Sequence, residues 1–377
     1  MEFIPPFCPN RDCRTHREEL ESPKSWFLPR GYRMTKVVGP VRRFQCRVCR
    51  KGFSSRTFDI DYWVHRTVDY EEVRNLLVGG SGLRQACRTL RVSTRLLANR
   101  HLRLSRQSLA LHSLCLEDFR LNDSLVLDGF ESFAYSQYYP NNLHLLVTSS
   151  SQFALGFHGA LLRRKGRMTD KQRKMRKELE AEFRAPGNAI FRSSKQLLAW
   201  GCHLSFGSGQ LPIRIISDKK KEYAWALSKI EPYCHWRDEG LLVHQRIDSK
   251  APRTLDNPLF PVNYLDRQLR KDLAEHVRES VRFARRIEHS LERAVVHLVH
   301  HNYFKVFRNR SKDKRLTHAE KAGIDRTLIE RLRERSLRDR AFGWRVNLEP
   351  WQKDLWCRRI SVPVHPTTPL ARHLMTA

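Results

Sequence analysis

No stretch of this 377-residue chain reaches the roughly 18 consecutive apolar residues that a membrane-spanning helix needs, and its opening, Met1-Glu-Phe-Ile-Pro-Pro6, lacks the layout of a secretory signal. Membrane insertion and export are therefore not expected. Acidic residues are scarce: 40 Asp and Glu stand against 70 Lys and Arg, a formal net charge of +30. Such an imbalance points to a polyanionic partner, with nucleic acid first in line. The nine cysteines do not form a disulfide pattern, because four lie in two close pairs and five are scattered. That usage favours a metal site in a reducing compartment, and so a soluble intracellular protein. The length allows a sizeable core and suggests two or three domains.

What is present begins with Cys8-Pro-Asn-Arg-Asp-Cys13 and Cys46-Arg-Val-Cys49, joined by a basic, partly β-like segment. Residues 1–60 read as a zinc ribbon, in which Cys8, Cys13, Cys46 and Cys49 hold one tetrahedral Zn²⁺ that a module so poor in apolar residues needs for folding. His16 is an alternative ligand. Arg47, Arg50 and Lys51 crowd the second pair and suit a phosphate-contacting surface.

Residues 61–115 read as a helix-turn-helix. Helices are expected at Tyr70–Leu77 and Leu83–Leu90, and Ser93 caps a third from Thr94 to about Leu104. The last helix carries Arg95, Asn99, Arg100 and Arg103 as candidate DNA contacts. A linker helix is expected over 105–122.

Residues 123–305 hold the candidate chemistry. Leu125-Val-Leu127 is a short apolar strand delivering Asp128, with Gly129 permitting close approach. Strands over Leu143–Val147 and Phe153–Phe157 follow, then a charged helical insert at about 160–187. Next come a helix over Ser194–His203 and a strand, Pro212–Ile216, that runs into Ser217 and Asp218. Two strand-end aspartates on one sheet can converge to hold divalent metal ions for phosphoryl transfer. Three strands, helix, strand with aspartate is the element order of RNase H-like domains. A further strand covers Leu241–Ile247, with His244 beside the site. A single long helix is expected from Asn263 to Phe304, buried along Leu265, Leu269, Leu273, Val277 and Val281 and then Ile287, Leu291, Val295 and Leu298. Residues 306–377 form a basic helical extension with Trp344, Trp351 and Trp356, and a tail from Pro363. The expected fold class is a multidomain α+β chain with an α/β core and mixed sheet.

The paired cysteines, Leu125-Val-Leu-Asp128, Ile215-Ile-Ser-Asp218, Asn263-Tyr-Leu-Asp-Arg-Gln-Leu-Arg270 and Arg278-Glu-Ser-Val-Arg-Phe-Ala284 together resemble the bacterial insertion-sequence transposases of the DDE/DDD type. The resemblance spans residues 1 to about 310 and implies a metal-dependent DNA transposase, cytoplasmic and nucleoid-associated, that acts as a homo-oligomer on DNA. Asp128, Asp218 and Asp266 would bind two Mg²⁺ or Mn²⁺ ions. The two N-terminal modules would bind terminal inverted repeats, while target DNA is the other substrate. The chain departs from the family at Asn263, where the third carboxylate is usual. Asp266 lies one turn on, and Asn263 remains as a neutral ligand or orienter; Glu275 or Glu279 is the other option. A catalytically inactive transposase-derived DNA-binding protein and an RNase H-like structure-selective nuclease are the alternatives.

Overall fold

The computed structural model describes residues 3–17, 25–209, 211–231, 233–277, 281–308 and 315–362. Among them are thirteen α-helices and two sheets, one small and one mixed with five strands. The expectations for Arg278, Glu279, Ser280 and the tail from Pro363 fall outside the described residues.

A one-turn helix α1 (Arg14–Arg17) precedes an antiparallel sheet of β1 (Phe27–Thr35), β2 (Gly39–Cys46) and β3 (Gly52–Ser54). Its core consists of Trp26, Phe27, Phe44 and the cysteines, with Phe53 stacked against Trp26 at 5.6 Å. So little apolar volume leaves the module dependent on what the cysteines hold.

Helices α2 (Tyr70–Val78) and α3 (Leu83–Thr89) form as expected; Asp69 caps the first through the backbone N–H groups of Glu71 and Glu72. The third helix does not end near Leu104. Capped by Ser93, α4 runs from Thr94 to Leu116 and absorbs the expected linker helix. Nothing between Leu97 and Cys115 breaks it, since no Gly or Pro interrupts the run. Its second half is buried on every side.

The large sheet is built from β4 (Leu125–Phe133), β5 (Pro140–Thr148) and β6 (Ala154–Leu161), an antiparallel meander, together with β7 (Ile213–Asp218) and β8 (Leu242–Ile247), which run parallel to β4. The strand order is β6-β5-β4-β7-β8. Between the two halves lie the exposed charged helix α5 (Asp170–Glu182) and α6 (Ala189–Gly207). Met175 on α5 is exposed, and Arg163 clamps Glu180 there at 2.9 Å. Helix α6 comes so close to the sheet that a Cβ on Gly201 would meet Leu125 Cδ1 at 2.8 Å and Leu146 Cδ2 at 3.0 Å. Side chains alternate along a strand, so Asp128 and Phe130 project to the face opposite Leu125 and Leu127.

That opposite face is covered after the short helices α7 (Lys221–Leu227) and α8 (Tyr233–Asp238) by α9 (Phe260–Asp272) and α10 (Ile287–Tyr303). These are two helices, not the single one expected. The chain leaves α9 at Leu273, in extended geometry, and makes a short turn over Ala274–His276. Tertiary contacts override the helical periodicity: Glu275 pairs with Arg293 at 2.8 Å, and His276 packs edge-on against Phe130 at 5.0 Å. Val277 and Val281, expected in the buried stripe, are exposed, the latter at 90%.

The C-terminal segment belongs to this core. Beyond α11 (His318–Lys321), α12 (Arg326–Arg338) packs on α4. Helix α13 (Pro350–Trp356) then inserts Trp351 against Trp200, Phe157 and the bare Cα of Gly156. Trp344 reaches the N-terminal module, 5.7 Å from the His16 ring.

Candidate functional site

Two centres stand out, one of sulfur and one of carboxylate. The turn Asn10–His16 and the turn after β2 bring Cys8, Cys13, Cys46 and Cys49 together, with all four sulfurs within 4.8 Å of one another. Cys8 and Cys49 are 3.6 Å apart and Cys13 and Cys46 3.8 Å apart. A tetrahedron with metal–sulfur bonds of about 2.3 Å has edges of about 3.8 Å, so the group could hold Zn²⁺. Arg50, at φ 61°, closes the second turn in left-handed backbone. Burial raises the Cys8 and Cys13 thiols. It also acts to raise Cys46, but the backbone N–H groups of Cys49 and Val48 and the Thr15 hydroxyl outweigh it and bring that thiol to about 7. His16 is not part of that group; its Nδ1 sits 2.5 Å from the Cys8 carbonyl oxygen.

The carboxylate centre is set by strand register. Leu127 pairs with Ser217 on the parallel neighbour, which sets Asp128 beside Asp218; Asp218 ends β7, but Asp128 lies within β4 and not at a strand end as expected, because pairing with β5 carries the strand on to Phe133. The two are tied to the backbone by Gly129 N–H donating to Asp128 Oδ1 at 2.7 Å and Lys220 N–H donating to Asp218 Oδ1 at 2.9 Å. Asp266 enters from α9 on the covered face. Burial raises the Asp128 carboxyl to about 6, and the charge of Asp218 adds to that. Burial and the charge of Asp128 raise Asp266 to about 7. Asp266 Oδ1 is buried with no hydrogen-bond partner. The carboxylates do not close to the tight mutual spacing of the cysteines; among the described residues, that spacing is met only by the cysteines and by His101, His289 and Glu292.

Asn263 is half-buried one turn before Asp266 on α9. Glu275, the other candidate carboxylate, is committed to Arg293. His244 meets the Ser217 hydroxyl at 2.9 Å, and burial lowers it to about 4, leaving it neutral in the sheet. Gly129 does admit a close neighbour, but it is the Asn142 side chain, which a Cβ would meet at 2.5 Å.

Sequence reasoning missed several groups around the carboxylates. Tyr223 is fully buried with an unpartnered hydroxyl and senses the charge of all three aspartates. Lys220 and Arg253 act on Asp128, and Arg253 and Arg270 on Asp266. Only the spacing of Arg270 from Asp266, one helical turn, was a usable signal; Arg253 sits in a loop with no pattern.

By spacing, His101, His289 and Glu292 could also hold a metal. Glu292, however, already accepts from Arg358 Nε at 2.5 Å and lies 3.1 Å from His289 Nδ1. An arginine bound to the only carboxylate opposes a cation there.

Of the candidate DNA contacts, Arg47, Arg50, Lys51 and Arg95 are exposed and Asn99 is half-buried. Arg100 and Arg103 are buried: Arg100 Nη2 donates to the Arg66 carbonyl at 2.7 Å, and Arg103 Nη1 to the Ile60 carbonyl at 2.6 Å. Their part of α4 faces inward because Asp61, Tyr62 and Tyr70 pack over it. Comparison with known proteins found no matching family model, curated protein or solved structure.

Proposed function

We propose that the chain is a DNA transposase that cuts and joins DNA with divalent metal ions at Asp128, Asp218 and Asp266. The observation that carries this reading is the convergence of the three aspartates, Asp128 within β4, Asp218 at the end of the parallel neighbour β7 and Asp266 on the covering helix, with a buried Asp266 oxygen that lacks a partner. The strand order β6-β5-β4-β7-β8, a meander followed by two parallel strands, supports an RNase H-like core.

The residues fit a hard divalent cation such as Mg²⁺, since oxygen donors raised by burial and mutual repulsion gain most from positive charge between them. When bound, such ions supply Lewis-acid activation of water or a 3′-hydroxyl and stabilise the leaving oxygen. The chain's own part is positional. Asp128 and Asp218, fixed by backbone N–H groups, present two carboxylates from a rigid sheet. Asp266 approaches from α9, and Lys220, Arg253 and Arg270 provide a positive surround for a phosphodiester. The cysteine module, with Zn²⁺, would place Arg47, Arg50 and Lys51 on a neighbouring backbone.

The test uses DNA flanking the protein's own coding sequence as substrate with Mg²⁺. Cleavage and strand transfer are expected in the wild type, with losses of at least about a hundredfold in Asp128→Ala, Asp218→Ala and Asp266→Ala. Unchanged cleavage in any of the three would sink the assignment. Asn263, neutral where the resembled family carries its third carboxylate, favours a second reading, an inactive DNA-binding derivative. That reading requires binding to the flanks with no cleavage in any metal.

A further inference from the structure

A broad cleft lies away from the carboxylates. It measures about 840 Å³ and opens between the α3–α4 pair and the segment 281–286 with α10. Arg84, Arg88 and Arg95 line one wall, Arg282, Arg285 and Arg286 the other, and Arg293 and Arg358 the base. Among the described residues, the single carboxylate in the lining, Glu275, is spent on Arg293. Arg84, Arg88, Arg95 and Arg285 are exposed and form no ion pair among the described residues. So many cations facing one space repel one another, and an anion between them removes that cost.

The lining also has apolar groups. Leu83, Ala98, Leu102 and Val281 contribute to it, and Phe283, 37% exposed, braces its ring on Phe133 at 5.8 Å. Cations interleaved with apolar and aromatic groups match an alternating polymer of phosphates and flat rings. A cavity of this size encloses ligands on the scale of roughly 300–1,000 Å³, which admits nucleotides of one strand and leaves a duplex outside.

We propose that this cleft holds a single DNA strand, with its phosphates on the arginine walls and a base against Phe283. The cleft is joined to the carboxylates by β4. Ala284 bridges Ala134, and its carbonyl accepts from Tyr135 N–H at 2.7 Å, so the wall of the cleft docks on the end of the strand that bears Asp128. The five steps from Asp128 to Phe133 span about 17 Å, the length of about five stacked nucleotides at ~3.4 Å each. A strand leaving the cleft along β4 therefore arrives at the aspartates, and this last connection rests on the transposase reading. It also gives α3 and α4 a different task from that of a free major-groove reader, because the outward face of Arg95 and Asn99 looks across the cleft.

The test is fluorescence anisotropy with a labelled 12-nucleotide single strand and the matching duplex, in EDTA. EDTA removes divalent ions, so the result is independent of whether the aspartates are catalytic. The double variant Arg95→Glu/Arg285→Glu should weaken single-strand binding at least tenfold and lower the salt slope by about 1.4, two phosphates at ~0.7 each. The control Lys174→Glu, on the exposed α5, should bind like wild type. Phe283→Leu should cost several-fold with the salt slope unchanged, because stacking is not ionic. Undiminished binding in the double variant, or an equal loss for duplex and single strand, would overturn the proposal.

Discussion

Asp266 shows what burial does to a single carboxylate. Its folded-state pKa, about 7, stands well above its ordinary value because it is desolvated next to Asp128. Between those two values the folded chain keeps a proton that the unfolded chain has lost, so this residue's contribution to stability falls as pH rises and levels off above about pH 7. Asp266→Asn should therefore stabilise the protein in EDTA at pH 8 by on the order of 2–4 kcal/mol. The gain should vanish near pH 4, as read by denaturant melts at both pH values. An equal gain at both would mean that the buried charge is not the cause. Residues of this kind divide by legibility. Asp128 and Asp218 were visible because each follows a short apolar run, although β4 continues past Asp128 to Phe133. The inward turn of Arg100 and Arg103 was invisible: a helical spacing says which residues share a face, not which face the rest of the chain will cover.

Among the elements, the cysteine module was the easiest to read, since ligand type and spacing carry its geometry almost alone. One zinc per chain is expected by metal analysis. Cys46→Ser should abolish it and change the fluorescence of Trp26, which stacks on Phe53 beside the cysteines. Retention of a full equivalent of zinc in that variant would remove Cys46 as a ligand. The strands of the large sheet were legible for the same local reason, as short apolar runs between turn residues. Helix limits were less so. The stripe from Leu265 to Val281 continues without a breaker, yet the chain turns at Leu273 because Glu275 and His276 find partners on α10 and β4. Conversely, α4 passes the expected stop at Leu104, where buried surface on both sides makes continued helix the favoured course.

At the scale of the whole molecule, a modular reading of the chain understates how the parts share one core. Val296 of α10 packs with α2, α3 and α4, while α12 and α13 pack on α4 and the main sheet. The C-terminal segment had no recognisable chemistry, and its helices α12 and α13 pack into the rest of the fold. Trp351→Ala should destabilise the entire chain by about 3–5 kcal/mol, seen as one cooperative transition at lower denaturant. Loss confined to a separate minor transition would show that α13 is peripheral. Long-range pairing of this sort leaves no periodic mark, since Trp351 meets Gly156 and Trp200 across most of the chain.

The seat of Trp351 also sets an order of events during synthesis. The cysteine module needs only residues up to Ser54, so its four thiols can come together while the ribosome is still making the large sheet. The layer around Phe157 and Trp200, by contrast, waits for residue 351 to emerge. A nascent chain thus presents the basic residues beside its cysteines early, while the three aspartates come together only once α9, which carries Asp266, has been made.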